Sequence, residues 1–269
     1  MCRCSPAEAV RTTAAEGPGL QATPETEAEG PVRIELAGLG LRLDGRPVLD
    51  GLDLDLSFRR LGVVGRNGSG KSTLARVIAG LVAPTAGTAR LNGQDLYKDR
   101  RAALGAVGIL FQNPDHQIIF PTVLEEVAFG LAQLGRSKRD AEAGARAVLD
   151  RFDKSGWAEA PIATLSQGQK HLVCLMAVAA MAPRTLILDE PFAGLDIPTR
   201  TQLRRYLALF PGAVIHISHA PDDLDSCETL LWLDRGRIAQ VGPRDAVNAA
   251  YLDEMTRQGA EDDISHLPG

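Results

Sequence analysis

The sequence predicts an α/β protein with a mainly parallel core sheet, a small antiparallel sheet beside it and a helical insertion. Three observations carry that expectation. The short apolar run Leu61-Gly62-Val63-Val64 enters a glycine-rich loop, and residues with helical spacing follow it. Ahead of it, Arg33 to Leu36, Leu39 to Leu43 and Leu52 to Leu56 alternate polar and apolar with period two, the pattern of half-buried strands. After it, a helical region from Val123 to about Ala182 is followed by apolar strands at Thr185 to Leu188 and Ala213 to Ile217.

The elements follow in order. Met1 to about Gly30 is rich in Ala, Glu, Thr, Pro and Gly with few large apolar residues, so burial cannot offset its ordering entropy and disorder is expected. The main domain is expected over residues 31–250. Asp44-Gly45-Arg46-Pro47 has hairpin-turn chemistry, and Thr88 to Leu91 with Asn92-Gly93 adds another strand and turn. Val107 to Phe111 reads as a buried strand. Helices are expected at Val123 to Leu131, Ala141 to Phe152 and Lys170 to Ala182, with breaks at Ser137 and Ser155-Gly156. They make up a helical subdomain over about 113–183. Pro198 to Phe210 is a further helix, and Leu230 to Leu233, Asp234-Arg235-Gly236 and Arg237 to Val241 form a hairpin. The tail over 251–269 is polar and acidic, with fraying expected from about Met255.

Composition bounds the function. The 269 residues are 45% hydrophobic, enough for one large core or a core plus a small lobe. Net charge is -5 without long like-charge runs, which disfavours a nucleic-acid partner. Cys2 and Cys4 lie in the polar leader, while Cys174 and Cys227 are expected in separate helices. No spacing suggests zinc or demands a disulfide. The longest apolar run, Leu172 to Ala182, is about half the roughly twenty residues needed to cross a bilayer. With no signal-type segment, any membrane role is expected to come through a partner.

Gly65-Arg66-Asn67-Gly68-Ser69-Gly70-Lys71-Ser72 fits the phosphate-binding pattern of two glycines around a four-residue insert, then Lys and Ser or Thr. Glycines let successive backbone N–H groups turn around a β-phosphate, and the helix starting near Ser72 and Thr73 points its positive end at the same anion. Lys71 is expected to reach the β- and γ-phosphates and Ser72 to ligate Mg²⁺. The chain is thus expected to bind a nucleoside triphosphate. Leu186-Ile187-Leu188-Asp189-Glu190 delivers Asp189 to the sheet edge as a second Mg²⁺ group and Glu190 as a candidate to polarise water. Leu165-Ser166-Gln167-Gly168-Gln169 opens a helix with Ser166 as cap and Gly168 bare for close approach. Ile217-Ser218-His219 ends a buried strand in histidine.

In that order, these motifs resemble an ATP-binding-cassette ATPase from about Val32 to Val247. The resemblance implies a P-loop NTPase core of RecA-like type, with an antiparallel β subdomain and a helical signature subdomain. Its cofactors would be ATP and Mg²⁺. It makes Gln112 the sensor of Mg²⁺ and attacking water, Glu190 the general base and His219 the switch that holds the γ-phosphate. It also makes Ser166, Gln167, Gly168 and Gln169 a signature acting in trans on a second ATPase subunit, a homodimer being the expected pairing. Ala193-Gly194-Leu195-Asp196 would cross that interface at Asp196. Two departures stand out. Gln167 replaces a glycine of the family's signature, and the aromatic that stacks on adenine has no counterpart at Leu41 or Leu43, so weak base stacking is expected. Arg59-Arg60 reads either as a solvated surface pair or as an extra nucleotide contact.

Only one phosphate loop is present, the stretch between Gln112 and Ser166 is too short for a coiled coil, and the residues after His219 are too few for a regulatory domain. These features disfavour translation-factor, chromosome-maintenance and many sugar or amino-acid importer members. A soluble ATPase acting on nucleic acid or ribosomes is the less favoured alternative. Phe111-Gln112-Asn113-Pro114-Asp115-His116-Gln117-Ile118-Ile119-Phe120-Pro121-Thr122-Val123 resembles the energy-coupling-factor and cobalt-type importers of vitamins and metal ions. Within them, Gln169 to Val178 and Asp189 to Asp196 look most like the ATPases of biotin import, cobalt or nickel import being the alternative. The resemblance implies a transmembrane coupling subunit, a membrane-embedded substrate-binding subunit and a peripheral place on the cytoplasmic membrane face. Ile118, Ile119 and Phe120 read either as membrane-partner contacts or as core residues.

Overall fold

The computed structural model describes residues 30–98, 103 and 105–261; the leader expected to be disordered lies outside them except for Gly30. Two sheets organise the chain. In the first, β1 (Val32–Leu43), β2 (Arg46–Phe58), β4 (Ala86–Leu91) and β5 (Gln94–Asp95) pair antiparallel in the order β2-β1-β4-β5. Asp44 and Gly45 both take positive φ, as do Asn92 and Gly93, which is the two-residue hairpin turn whose twist matches its strands. The expected gap between Leu36 and Leu39 is a bulge inside one strand: the register shifts there, and Gly38 has φ +54.

The second sheet has the order β10-β9-β3-β8-β7-β6. Strands β3 (Arg60–Val64), β6 (Val107–Leu110), β7 (Thr185–Asp189), β8 (Ala213–Ile217) and β9 (Thr229–Asp234) run parallel, and β10 (Arg237–Pro243) closes the edge antiparallel. Every residue of β7 and β8 is buried, the signature of strands covered on both faces. Helix α1 (Lys71–Ile78) buries Leu74, Val77 and Ile78 in a core shared by both sheets, with Leu36, Leu52, Val63 and Ile215. Helices α2 (Val123–Gln133), α3 (Lys138–Arg151) and α4 (Gln167–Ala180) form a second core around Leu131, Leu149, Phe152 and Met176. That core continues onto Leu186 and Leu188 of β7 and Leu203 of α5 (Ile197–Ala208).

Three expectations change. Residues 255–261, where fraying is expected, are helical, while 262–269 lie outside the described residues: α6 (Arg244–Glu261) docks Val247 and Tyr251 against β9, where Tyr251 meets Trp232 edge-on at 5.7 Å. Apolar spacing is sparse enough along α6 to hide it in the sequence. Cys227 lies in the link into β9 rather than in a helix, buried beside Leu224 and Leu230. Arg60 contacts neither solvent alone nor the phosphate loop. From the opposite end of β3 it donates to the carbonyls of Gly212 (2.8 Å) and Phe210 (2.9 Å), and burial lowers its pKa. Among the described residues, no helix is long and apolar enough to cross a membrane.

Candidate functional site

The parallel strands β3, β7 and β8 end at one edge of the sheet, and the loops that follow them carry the candidate groups. A cleft of roughly 460 Å³ there is lined by Val48, Asn67, Gly68, Gly70, Lys71, Ser72, Thr73, Gln112, Glu190 and His219. An adjoining cleft shares Ser72 and Gln112 and adds Asp189, Arg76 and Asn113. Open α/β sheets gather ligands at this strand edge.

The loop after β3 is tightly built. A Cβ on Gly65 would lie 2.2 Å from the Leu233 carbonyl oxygen and 2.7 Å from Ser69 Oγ, so any side chain would expel one or the other. Gly68 has open space around it, but its φ of +79 favours glycine. Gly70 caps α1 at φ +102 without any side-chain hydrogen bond. The contrast is informative: α2, α3, α4 and α5 are capped by Thr122, Ser137, Ser166 and Asp196 side chains. Among these helices only α1 has no side-chain cap, which fits an anion at the positive helix end. Lys71, itself buried, donates to the carbonyls of Gly65 (2.7 Å) and Arg66 (2.9 Å). Burial lowers its pKa, opposed by Glu190 and Asp189.

Ser72 Oγ donates to Asp189 Oδ1 at 3.0 Å, bringing together two oxygen groups of the type that can hold a hard cation. Burial pushes the Asp189 carboxyl above its ordinary range, and the Ser72 hydrogen bond opposes it. Glu190 leaves β7 in a left-handed conformation, φ +51, with its N–H donating to the Ile217 carbonyl (3.0 Å). This bend turns its carboxylate to His219, whose Nδ1 lies 2.8 Å from Glu190 Oε2. Ser218 braces the turn: its N–H donates to Val63, and its hydroxyl donates to Asp223 while accepting from Ala220 N–H.

Ser166, Gln167, Gly168, Gln169 and Asp196 do not line this cleft. Ser166 Oγ accepts from Gln169 N–H (3.3 Å) and Gln169 Oε1 accepts from Ser166 N–H (2.7 Å), a reciprocal capping box. The bareness of Gly168 has a cause inside the chain, because a Cβ there would meet Thr199 Cγ2 at 2.4 Å. Thr199 is held in turn by Asp196, which accepts from its N–H at 2.9 Å.

Sequence reasoning missed Glu126 and His171. Glu126 is buried, and its Oε2 accepts from the N–H groups of both Ile119 and Phe120 at 2.9 Å. This fixes the loop so that Ile119 alone of the apolar trio stands 68% exposed; Ile118 packs on the helical core and Phe120 stacks near Phe129. Neither residue matches a motif, and only their burial as polar groups marks them. Leu41 is core, whereas Leu43 is exposed beside the β1–β2 turn.

A phosphate loop at a strand edge, with an acid pair and a histidine from neighbouring strands, defines a P-loop nucleotide hydrolase. Residues 49–193 match the ABC transporter family model. The chain is 46% identical over 222 residues to the biotin transport ATP-binding protein BioM of Rhodobacter capsulatus, covering 82% of this chain and 95% of that one. It is 40% identical over 157 residues to the energy-coupling factor transporter ATP-binding protein EcfA of Methanosphaera stadtmanae, covering 57% of this chain and 56% of that one. Among solved structures it superposes on cbiO1 of Clostridium perfringens, part of the ABC transporter complex cbiONQ, with TM-score 0.67 and 26% identity over 80% of this chain and 90% of that one. The chain belongs to the ATP-binding-cassette transporter family. More narrowly, it is the ATP-hydrolysing subunit of an importer of the energy-coupling-factor type.

Proposed function

We propose that this chain is the motor of a biotin importer, working as one of two paired ATPase subunits on a transmembrane coupling subunit with a membrane-embedded substrate-binding subunit. The observation that carries the mechanism is the convergence of Lys71, the Ser72–Asp189 pair, Gln112 and the Glu190–His219 pair in two adjoining clefts, neither of which the signature residues line. Likeness to a biotin-transport relative over nearly its whole length supports the substrate.

In this reading the amides of Gly68 to Thr73 and the Lys71 ammonium cradle the ATP phosphates. Asn67 and Ser69 complete the loop wall, and Arg66 lies at its rim. Ser72, Asp189 and Gln112 would hold Mg²⁺, which neutralises charge developing between the β- and γ-phosphates. Glu190 Oε2 accepts the proton of the attacking water, and His219 holds that carboxylate in line. Ser166 and Gly168, outside the cleft, present the positive end of α4 to the γ-phosphate bound by the partner, with Asp196 at the interface. Rate enhancement comes from positioning and electrostatics in the closed dimer. With Leu43 in place of an aromatic, adenine is held without ring stacking, so discrimination against guanine is weak. The assembly sits peripherally on the cytoplasmic face.

The test is labelled-biotin uptake by liposomes holding the purified complex. Lys71→Ala and Glu190→Gln are expected to abolish uptake. Uptake that survives either substitution excludes the motor role; ATP-dependent uptake of another vitamin or a metal ion, with none of biotin, excludes the substrate.

A further inference from the structure

The first turn of α4 and the loop that carries Gln112 are tied at three points. Gln167, Lys170 and His171 lie at i, i+3 and i+4, on one face of the helix. Gln167 Nε2 approaches Asn113 Oδ1 at 3.5 Å, the limit of a hydrogen bond. Lys170 Nζ donates to Asp115 Oδ1 at 2.7 Å, a half-exposed pair of modest weight. His171 is 1% exposed, with Nε2 3.2 Å from the Gln112 carbonyl oxygen and Nδ1 3.1 Å from the Gln167 carbonyl oxygen. The Nε2 contact matters most, because it meets the backbone of the residue whose side chain lines the nucleotide cleft. Gln167 is also where this chain departs from the glycine of the usual signature.

We propose that His171 is a positioning residue for ATP hydrolysis: through Nε2 it fixes the Gln112 backbone to the helix that presents Ser166 and Gly168. The loop that carries Gln112 then moves with the signature surface of the same subunit. Gln167 and Lys170 support the tie. This rests on the reading that Gln112 and the signature serve one ATP cycle, and it is independent of the imported substrate. A neutral imidazole carries one N–H and so donates to only one of the two carbonyls; the proposal places that hydrogen on Nε2, facing Gln112. A glutamine amide reaches about as far as Nε2 and an asparagine amide about as far as Nδ1. His171→Gln therefore keeps the tie to Gln112, while His171→Asn keeps only the local contact to Gln167.

The experiment measures kcat and KM for ATP hydrolysis by the full chain in its purified complex, with the thermal midpoint of each variant. His171→Gln is expected to stay within about twofold of wild type. His171→Asn is expected to lose about tenfold in kcat, the worth of one buried hydrogen bond near 1.4 kcal/mol, with KM for ATP changed less than about twofold. Equal kcat in the two variants overturns the proposal. If the asparagine variant does not fold, hydrogen exchange of the wild-type chain decides. Added ATP is expected to slow amides of Gln112 to Gln117 and of the first turn of α4 together, and protection of the loop without α4 overturns it. Absence of hydrolysis by the wild-type complex would instead refute the ATPase assignment itself.

Discussion

Gly168 allows a test that separates two reasons for a bare backbone. A Cβ at this position would lie 2.4 Å from Thr199 Cγ2, 3.2 Å from Oγ1 and 3.4 Å from Cβ. Carbon atoms in contact rest about 3.5–4.0 Å apart, so Gly168→Ala overlaps Cγ2 by more than about 1 Å. Thr199 can turn aside only by leaving the χ1 rotamers that a β-branched residue favours in a helix. Its backbone is also pinned by the Asp196 cap at 2.9 Å. Overpacking of this kind costs about 1–3 kcal/mol, and a chain of this size loses about 2–4 °C of thermal midpoint per kcal/mol. Thr199→Ser removes Cγ2 and leaves the backbone cap intact, so the double variant Gly168→Ala with Thr199→Ser should recover most of the midpoint. The assay is thermal unfolding of the four chains of this cycle, with ATP hydrolysis measured alongside. A midpoint unchanged by Gly168→Ala, or lowered and not restored by Thr199→Ser, would refute the steric account. Hydrolysis that stays low after the midpoint recovers assigns the residual loss to the phosphate of the partner subunit.

Other consequences are equally direct. Ser166→Ala removes the cap of α4 and should cost about 1 kcal/mol, read as a lower urea midpoint with an unchanged slope. Asp189→Asn should raise the thermal midpoint of the nucleotide-free chain, because burial raises the carboxyl's pKa and the charged form at neutral pH opposes folding. The same variant should lose the further stabilisation that Mg²⁺ adds to ATP. His216 is buried with Nε2 unpartnered, and burial holds its pKa down at about 4 against the usual 6.5. The unfolded chain takes up that proton as pH falls through 6.5 and the folded chain does not. Its contribution to stability is therefore lost between pH 6.5 and about 4, by roughly 3 kcal/mol at most. Urea unfolding at pH 7 and 4.5 should show a smaller difference for His216→Leu than for wild type.

The sequence by itself determined the parts whose cause is local. Asp44-Gly45, Asn92-Gly93 and Arg235-Gly236 turn where two successive residues must take positive φ. The phosphate loop, Asp189-Glu190 and Ser166 to Gln169 follow from spacing within single elements, and the parallel core follows from the unbroken apolar runs of β7 and β8. Tertiary structure decided what depends on distant partners. Arg60 is spent on the Phe210–Gly212 turn, α6 is a helix because Val247 and Tyr251 find β9, and Gly168 is bare because Thr199 packs on it. Glu126 and His171 could not be found by pattern, since a polar residue on an apolar helix gives no sign of which backbone groups it will meet. Periodicity reports which face is buried; only the packed chain sets the carbonyl or amide opposite each buried polar atom, and that pairing fixes the loop carrying Gln112.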